Sequence, residues 1–240
     1  MSTEYDAITA FHYASYRPCL HYSILQSSLG NTSIFSGLDI GCGTGQSSIA
    51  LSNFCRRVVS IDPSSDMISK GKSHTKVRYS IFDKTSIDFE TDTFDIITLA
   101  GSLWYAKSQE LLNEIIRVGT KNSLVLVYDF EILLENILLN LGFESQADPS
   151  GSYNHEEDFS GLDAHAITLV NKEIDKFQVQ ITVNDLAHLV LSVKEQYTCF
   201  GNLYGFHFLY DTIVEKLNSI NETGFFDIQA NTFSTLYRLI

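Results

Sequence analysis

Three glycines at alternate positions, Gly41, Gly43 and Gly45, stand behind an aspartate, Asp39, and the apolar residues Leu38 and Ile40. Glycine supplies turn angles that other residues resist and has no Cβ to hold a ligand off the main chain. Gln46-Ser47-Ser48-Ile49-Ala50-Leu51 follows, a stretch able to start a helix. Strand, glycine turn and helix together offer bare backbone and unpaired N–H groups to negative or polar ligand atoms. A dinucleotide loop wants G-x-G-x-x-G, whose third glycine would fall on Gln46; the spacing here is G-x-G-x-G.

Further candidates end the apolar runs downstream. Arg57-Val58-Val59-Ser60-Ile61-Asp62 reads as a second strand closing on a carboxylate, 17 residues beyond Gly45. An acidic residue about 20 residues past such a loop can grip ribose hydroxyls, since one carboxylate accepts from both. Asp62 can equally cap a helix beginning near Pro63 and Ser64. Val77 to Asp83 is the third strand, again ending in aspartate, and Thr93 to Ala100 the fourth. Beyond it comes Gly101-Ser102-Leu103-Trp104-Tyr105 with the only tryptophan of the chain. In an open parallel sheet, ligands lie outside these carboxyl ends.

The run Asp39 to Gly45 resembles the D/E-x-G-x-G-x-G first motif of class I S-adenosylmethionine-dependent methyltransferases. Asp62-Pro63-Ser64-Ser65-Asp66-Met67-Ile68 resembles that family's D-x-S-x-x-M-[IL], and Thr93-Phe94-Asp95-Ile96-Ile97 its S-F-D-x-[IV]. Tyr16-Arg17-Pro18 is similar to the Y-R-P ahead of the first motif in methyltransferases of the trans-aconitate type. The resemblance implies S-adenosyl-L-methionine as cofactor, held by Asp39, Gly41, Cys42, Gly43, Gly45, Asp62, Pro63 and Ala100. It further implies Tyr16 and Arg17 closing over the cofactor, Met67 flanking the adenine, Phe82 against the ring, and Asp83 on its amino group. Trp104 and Tyr105, with Tyr13, are the expected lining of the acceptor pocket; packing under the next helix is the alternative for Trp104. Leu103 stands where that family carries a histidine, and Asp88 replaces the proline of its L-P-F.

These residues need a scaffold. The implied fold is α/β and Rossmann-like, a seven-stranded, mostly parallel sheet with an antiparallel last strand and helices on both faces. A single domain over 1–240 is expected, with a helical lid at 1–30 broken by Pro18. A cofactor-binding core at 31–146, a substrate-side insertion at 147–204 and closing elements at 205–240 complete it. Leu111, Leu112, Ile115 and Ile116 share one helical face, and Ser123 to Phe130 reads as the fifth strand after a turn at Gly119 to Asn122. Leu134, Ile137, Leu138 and Leu141 give another helix stopped by Gly142. Ile167 to Val183 alternates as strands, Thr182 to Asp185 resembles a capping box, and Gly224–Ala230 and Phe233–Ile240 read as two final strands.

Composition narrows the chemistry. The chain of 240 residues carries 29 acidic against 16 basic residues, a net charge of −13. Nucleic-acid binding draws affinity from Lys and Arg on phosphates, so such a partner is not expected. No apolar run reaches the roughly 18 residues of a spanning helix. The start has no signal-peptide pattern. Four cysteines without metal spacing read as reduced thiols, and a cytoplasmic location is expected. No Pro-Pro occurs, which disfavours amino-methylating nucleic-acid enzymes. A small-molecule acceptor with an oxygen, nitrogen or carbon nucleophile is the main reading. A non-methylating cofactor binder is the alternative, drawing on Leu103. Of His12, His21, His155, His165, His188 and His207, none sits in a motif that singles out a base.

Overall fold

The computed structural model describes residues 7–82, 86–143 and 153–240. The elements in chain order begin with α1 (Ala7–Ser15), α2 (Leu20–Leu29), β1 (Ile34–Ile40), α3 (Gln46–Leu51), β2 (Cys55–Asp62), α4 (Ser65–Ser69) and β3 (Val77–Ile81). There follow β4 (Phe94–Ala100), α5 (Leu103–Ala106), α6 (Gln109–Val118), β5 (Gly119–Ile132) and α7 (Glu135–Asn140). The rest comprises β6 (Ile167–Thr182), α8 (Val183–Leu191), α9 (Lys194–Tyr204), α10 (Leu209–Ile220) and β7 (Phe225–Leu239).

Seven strands form one sheet in the order β3-β2-β1-β4-β5-β7-β6. The first five are parallel neighbours, while β5, β7 and β6 alternate in direction. β1 and β4 are buried along most of their length, their polar residues Ser36, Asp39 and Thr98 included. From β1 the chain builds outward through β2 to β3, then returns to β4 on the other side. Order therefore reverses between β1 and β4, the place where an open α/β sheet leaves a crevice at its carboxyl edge.

Register aligns that edge. Ile40 pairs with Ile61 and with Leu99, and Ala100 with Tyr128. One step further along each strand places Gly41, Asp62, Ala100–Gly101 and Asp129 in a row.

Two compact units emerge among the described residues, one from 7–18, 132–143 and 176–231, the other from 19–131, 153–175 and 232–240. The second unit's core joins Leu38, Ile40, Ile97, Leu99, Leu112, Ile115 and Val125. In the first unit, Leu186, Leu191, Phe200, Ile213 and Leu217 form a separate core.

Three local readings are corrected. Gly119 to Asn122 is no simple turn: it lies within β5, where Phe94 pairs with Gly119 but Ile96 with Leu124, so the extra residues bulge. Asn122 takes φ 65° there, a conformation asparagine tolerates. The two final strands are one, because Asn231 and Thr232 stay extended through β7. The partner of β7 at the edge is β6, drawn from the middle of the expected insertion. Elsewhere the local chemistry acts as expected: Thr182 caps α8 by accepting from Asp185 N at 3.1 Å.

Candidate functional site

The loop after β1 is held from beneath. Asp39 is fully buried, and its carboxyl accepts from Ser47 and Ser48 hydroxyls at 2.6 Å and from Thr98 Oγ1 at 2.9 Å. Burial pushes its pKa up, while those three hydroxyls pull the other way. Its bonds tie β1 to α3 and β4, so Asp39 fixes the loop from inside rather than facing a ligand.

The three glycines differ in what they face. A Cβ on Gly41 would come 2.4 Å from Ser102 Cβ, and one on Gly45 would come 2.1 Å from Tyr79 Oη. Both therefore serve close approach within the protein. Gly43, at φ +54°, would meet nothing within 4 Å. Its N–H donates to Asp62 Oδ2 at 2.9 Å, and Ser64 N donates to Asp62 Oδ1 at 2.8 Å. Asp62 is thus oriented by two main-chain donors, which leaves lone pairs for further donors. The cap of α4 is Ser64, which accepts from Met67 N. Open main chain at Gly43 beside a braced carboxylate is a cradle that suits an amino acid and ribose.

The neighbours of this cradle are graded by burial. Cys42 is buried, its thiol pushed up by burial and by Asp39 and Asp62 nearby. Phe82 is buried just past β3, and its N–H donates to Asp62 O at 3.2 Å. Met67 and Ala100 are half-buried and Pro63 exposed; Asp83 lies outside the described residues. Tyr13, Tyr16 and Arg17 belong to the other unit, where the Arg17 guanidinium lies 4.2 Å over the Tyr13 ring and Tyr16 packs on that unit's core.

The sheet edge also assembles groups that motif reading did not single out. Ser102 Oγ donates to Ile40 O at 2.6 Å, locking the end of β4 against the glycine loop. Next to it, Tyr153 Oη donates to Asp129 Oδ2 at 2.8 Å and lies 2.9 Å from Gly101 O, while His155 Nδ1 lies 2.9 Å from the same Asp129 oxygen. Burial alone would lower the His155 pKa; the hydrogen bond and charge of Asp129, with Glu131 beyond, raise it overall. Trp104 and Tyr105 flank Tyr153 at ring-centroid distances of 5.8 and 5.6 Å, and both are exposed, at 40% and 65%. Leu103 beneath them is core. A small cleft of about 10 Å³, room for one water-sized group, opens among Gly101, Trp104, Asp129, Tyr153 and His155. The one available signal was Asp129, which follows an apolar run as Asp62 does, although β5 continues past it to Ile132.

Comparison with known proteins places this edge. Residues 38–127, from the middle of β1 to the end of β5's apolar run, match the family described as methyltransferase domain. That match covers less than half of the chain. The methyl donor of this family is S-adenosylmethionine. A cypemycin N-terminal methyltransferase from Streptomyces is 39% identical over 77 residues, 30% of this chain and 31% of that protein. An uncharacterised methyltransferase of Staphylococcus carnosus is 32% identical over 110 residues, 45% of this chain and 52% of its own. The chain thus spans about half or less of the curated relatives it matches. A provisionally assigned type II methyltransferase from Anaeromyxobacter dehalogenans shares the fold with a TM-score of 0.64 at 16% identity, covering 93% and 97% of the two chains. The [4+2]-cyclase SpnF does so at 0.52 and 15%, covering 90% and 80%. The matched segment ends at Val127, two residues short of Asp129, so the Tyr153–Asp129–His155 cluster lies outside it. Among the described residues no three His, Cys, Asp or Glu side chains could share a metal, and no helix is long and apolar enough to cross a membrane.

Proposed function

We propose that the chain is an S-adenosylmethionine-dependent methyltransferase acting on a small-molecule acceptor. One observation carries the cofactor side: Gly43 presents open main chain at positive φ while its N–H and Ser64 N brace the Asp62 carboxylate. Asp62 would accept from the ribose hydroxyls, and the loop would lie against the amino-acid part. Phe82 and Met67 would line the adenine, and Asp39 would act by holding the loop rigid. Bound there, the sulfonium supplies an activated methyl group to a nucleophile placed in line with it. The protein's main contribution is then alignment, worth about 7–11 kcal/mol of barrier. Trp104 and Tyr105 would line the acceptor side, and the acidic surface argues against a nucleic-acid acceptor.

The decisive measurement is calorimetry with S-adenosylmethionine and S-adenosylhomocysteine on the purified chain. Micromolar binding supports the reading, and no heat with either ligand from folded protein ends it. The second reading, a cofactor binder that does not methylate, draws on Leu103, an apolar core residue where related enzymes place a histidine. Release of S-adenosylhomocysteine with any acceptor decides between the two.

A further inference from the structure

Tyr153 and His155 meet on one carboxylate oxygen of Asp129. Side chains of Asp129 and His155 retain 17% and 28% of their surface, so the pair is half-desolvated yet reachable. Each member has a fixed place. Asp129 is oriented by Phe130 N at 2.8 Å on Oδ1, and a Cβ at Gly101 would press on that same oxygen at 3.1 Å. His155 is clamped by ring contacts, Phe233 stacked at 5.7 Å and 15°, and Tyr153 edge-on at 4.7 Å. With Nδ1–H donated to Asp129, the neutral ring carries its lone pair on Nε2. A carboxylate behind an oriented imidazole is the arrangement that makes a nitrogen a proton acceptor.

Surroundings select what the proton comes from. Asp129 and Glu157 line the cleft, Glu131 adds negative charge felt by His155, and Glu157 pairs with Lys107. Carboxylates disfavour a developing oxyanion and attract an ammonium. Exposed Trp104, T-shaped to Tyr153, and Tyr105, tilted against it, add ring faces suited to a cation or an aromatic body.

From this geometry we propose that Asp129, Tyr153 and His155 form the polar end of an acceptor subsite for a small arylalkylamine, its ammonium head in the cleft and its ring against exposed Trp104 and Tyr105, with His155 Nε2 taking the ammonium proton. The proposal rests on the methyltransferase reading and deepens it. The balance is simple. The ammonium gives one proton to Nε2; the freed nitrogen lone pair forms the new N–C bond as the C–S bond breaks and its electrons return to sulfur. The N-methylammonium product leaves, and the imidazolium loses its proton to water. Tyr153 is a positioning residue, holding Asp129 to the Gly101 carbonyl.

The test begins without cofactor. Phenethylamine is titrated into the full chain against 2-phenylethanol, the same body without charge, by calorimetry, while the His155 ring nitrogens are followed by ¹⁵N NMR. The amine is expected to bind at least tenfold tighter than the alcohol and to move the His155 Nε2 resonance. Asp129→Asn should remove that tenfold preference. His155→Gln, which keeps a donor for Asp129, should bind the amine within about threefold of wild type. With cofactor and an amine that turns over, it should lose 10²–10⁴-fold in kcat and the rise of kcat through a pKa above 6.5. Equal binding of amine and alcohol, or a His155 resonance indifferent to the amine, overturns the proposal. S-adenosylhomocysteine affinity measured on the same samples keeps failure of the cofactor reading separate, since the amine titration does not depend on it.

Discussion

At Gly43 a single hydrogen atom decides between protein and ligand. Gly41→Ala and Gly45→Ala drive a methyl group into Ser102 and Tyr79 and should lower stability itself. Gly43→Ala meets open space, pays only for its positive φ at about 1–2 kcal/mol, and fills the cradle. It should stay folded by circular dichroism yet bind S-adenosylhomocysteine at least tenfold more weakly. Asp62→Ala frees Gly43 N and Ser64 N together, so its loss in calorimetry should reach tenfold or more; unchanged affinity would take Asp62 out of the site. Trp104→Ala removes an exposed ring and should impair turnover more than cofactor affinity, with the reverse result placing Trp104 elsewhere.

Elements are coupled by a few buried polar contacts whose loss is expensive. Asp39 joins β1, α3 and β4, and Asp39→Ala strands three hydroxyls at once. With about 1–3 kcal/mol for each buried group left unpaired, urea unfolding should show a loss of about 3 kcal/mol or more. Arg117 on α6 likewise donates to the carbonyls of Ile87 and Phe89 and pairs with Glu114, pinning the connection into β4. Helix α1 docks on α8 through a histidine pair, His12 Nδ1 to His188 Nδ1 at 2.9 Å. One ring must donate and the other accept, so both cannot be protonated. Burial, and then His188, lowers the His12 pKa to about 4. The folded state therefore resists a proton that the unfolded chain takes up near 6.5. Stability from this contact is full above 6.5 and drains away as pH falls toward 4. Protection factors in α1, corrected for the intrinsic exchange rate at each pH, should fall over that window, and His12→Phe should flatten the response.

On the scale of the molecule, each unit has its own core. Leu112 is fully buried in one and Leu186 in the other. Truncating either to alanine should cost about 2–5 kcal/mol. Their clusters share no members, so the double variant should equal the sum within about 0.5 kcal/mol in urea titrations. A large deviation would mean that the two cores are energetically one. The charge of −13 bears on recognition rather than on fold, favouring cationic acceptors over anionic ones.

How much of this was legible without coordinates follows from how local each signal is. Three spaced glycines, an aspartate closing an apolar run, a proline between two helices and a threonine cap each state their conformation within a few residues. The parallel strands β1 to β5 and the loop after β1 follow from them. Sheet order at the far edge was not readable, because pairing of β7 with β6 is a long-range choice that alternation alone does not encode. The bulge before Leu124 was hidden for the same reason, as it exists only relative to β4. The proposed acceptor subsite joins the end of β4 and a residue within β5 to a segment beyond residue 152. Asp129, Tyr153 and His155 acquire meaning only when tertiary structure sets one carboxylate between a phenol and an imidazole. Chain-local stereochemistry determined where a cofactor can lie; folding alone decided which side chains meet beside it.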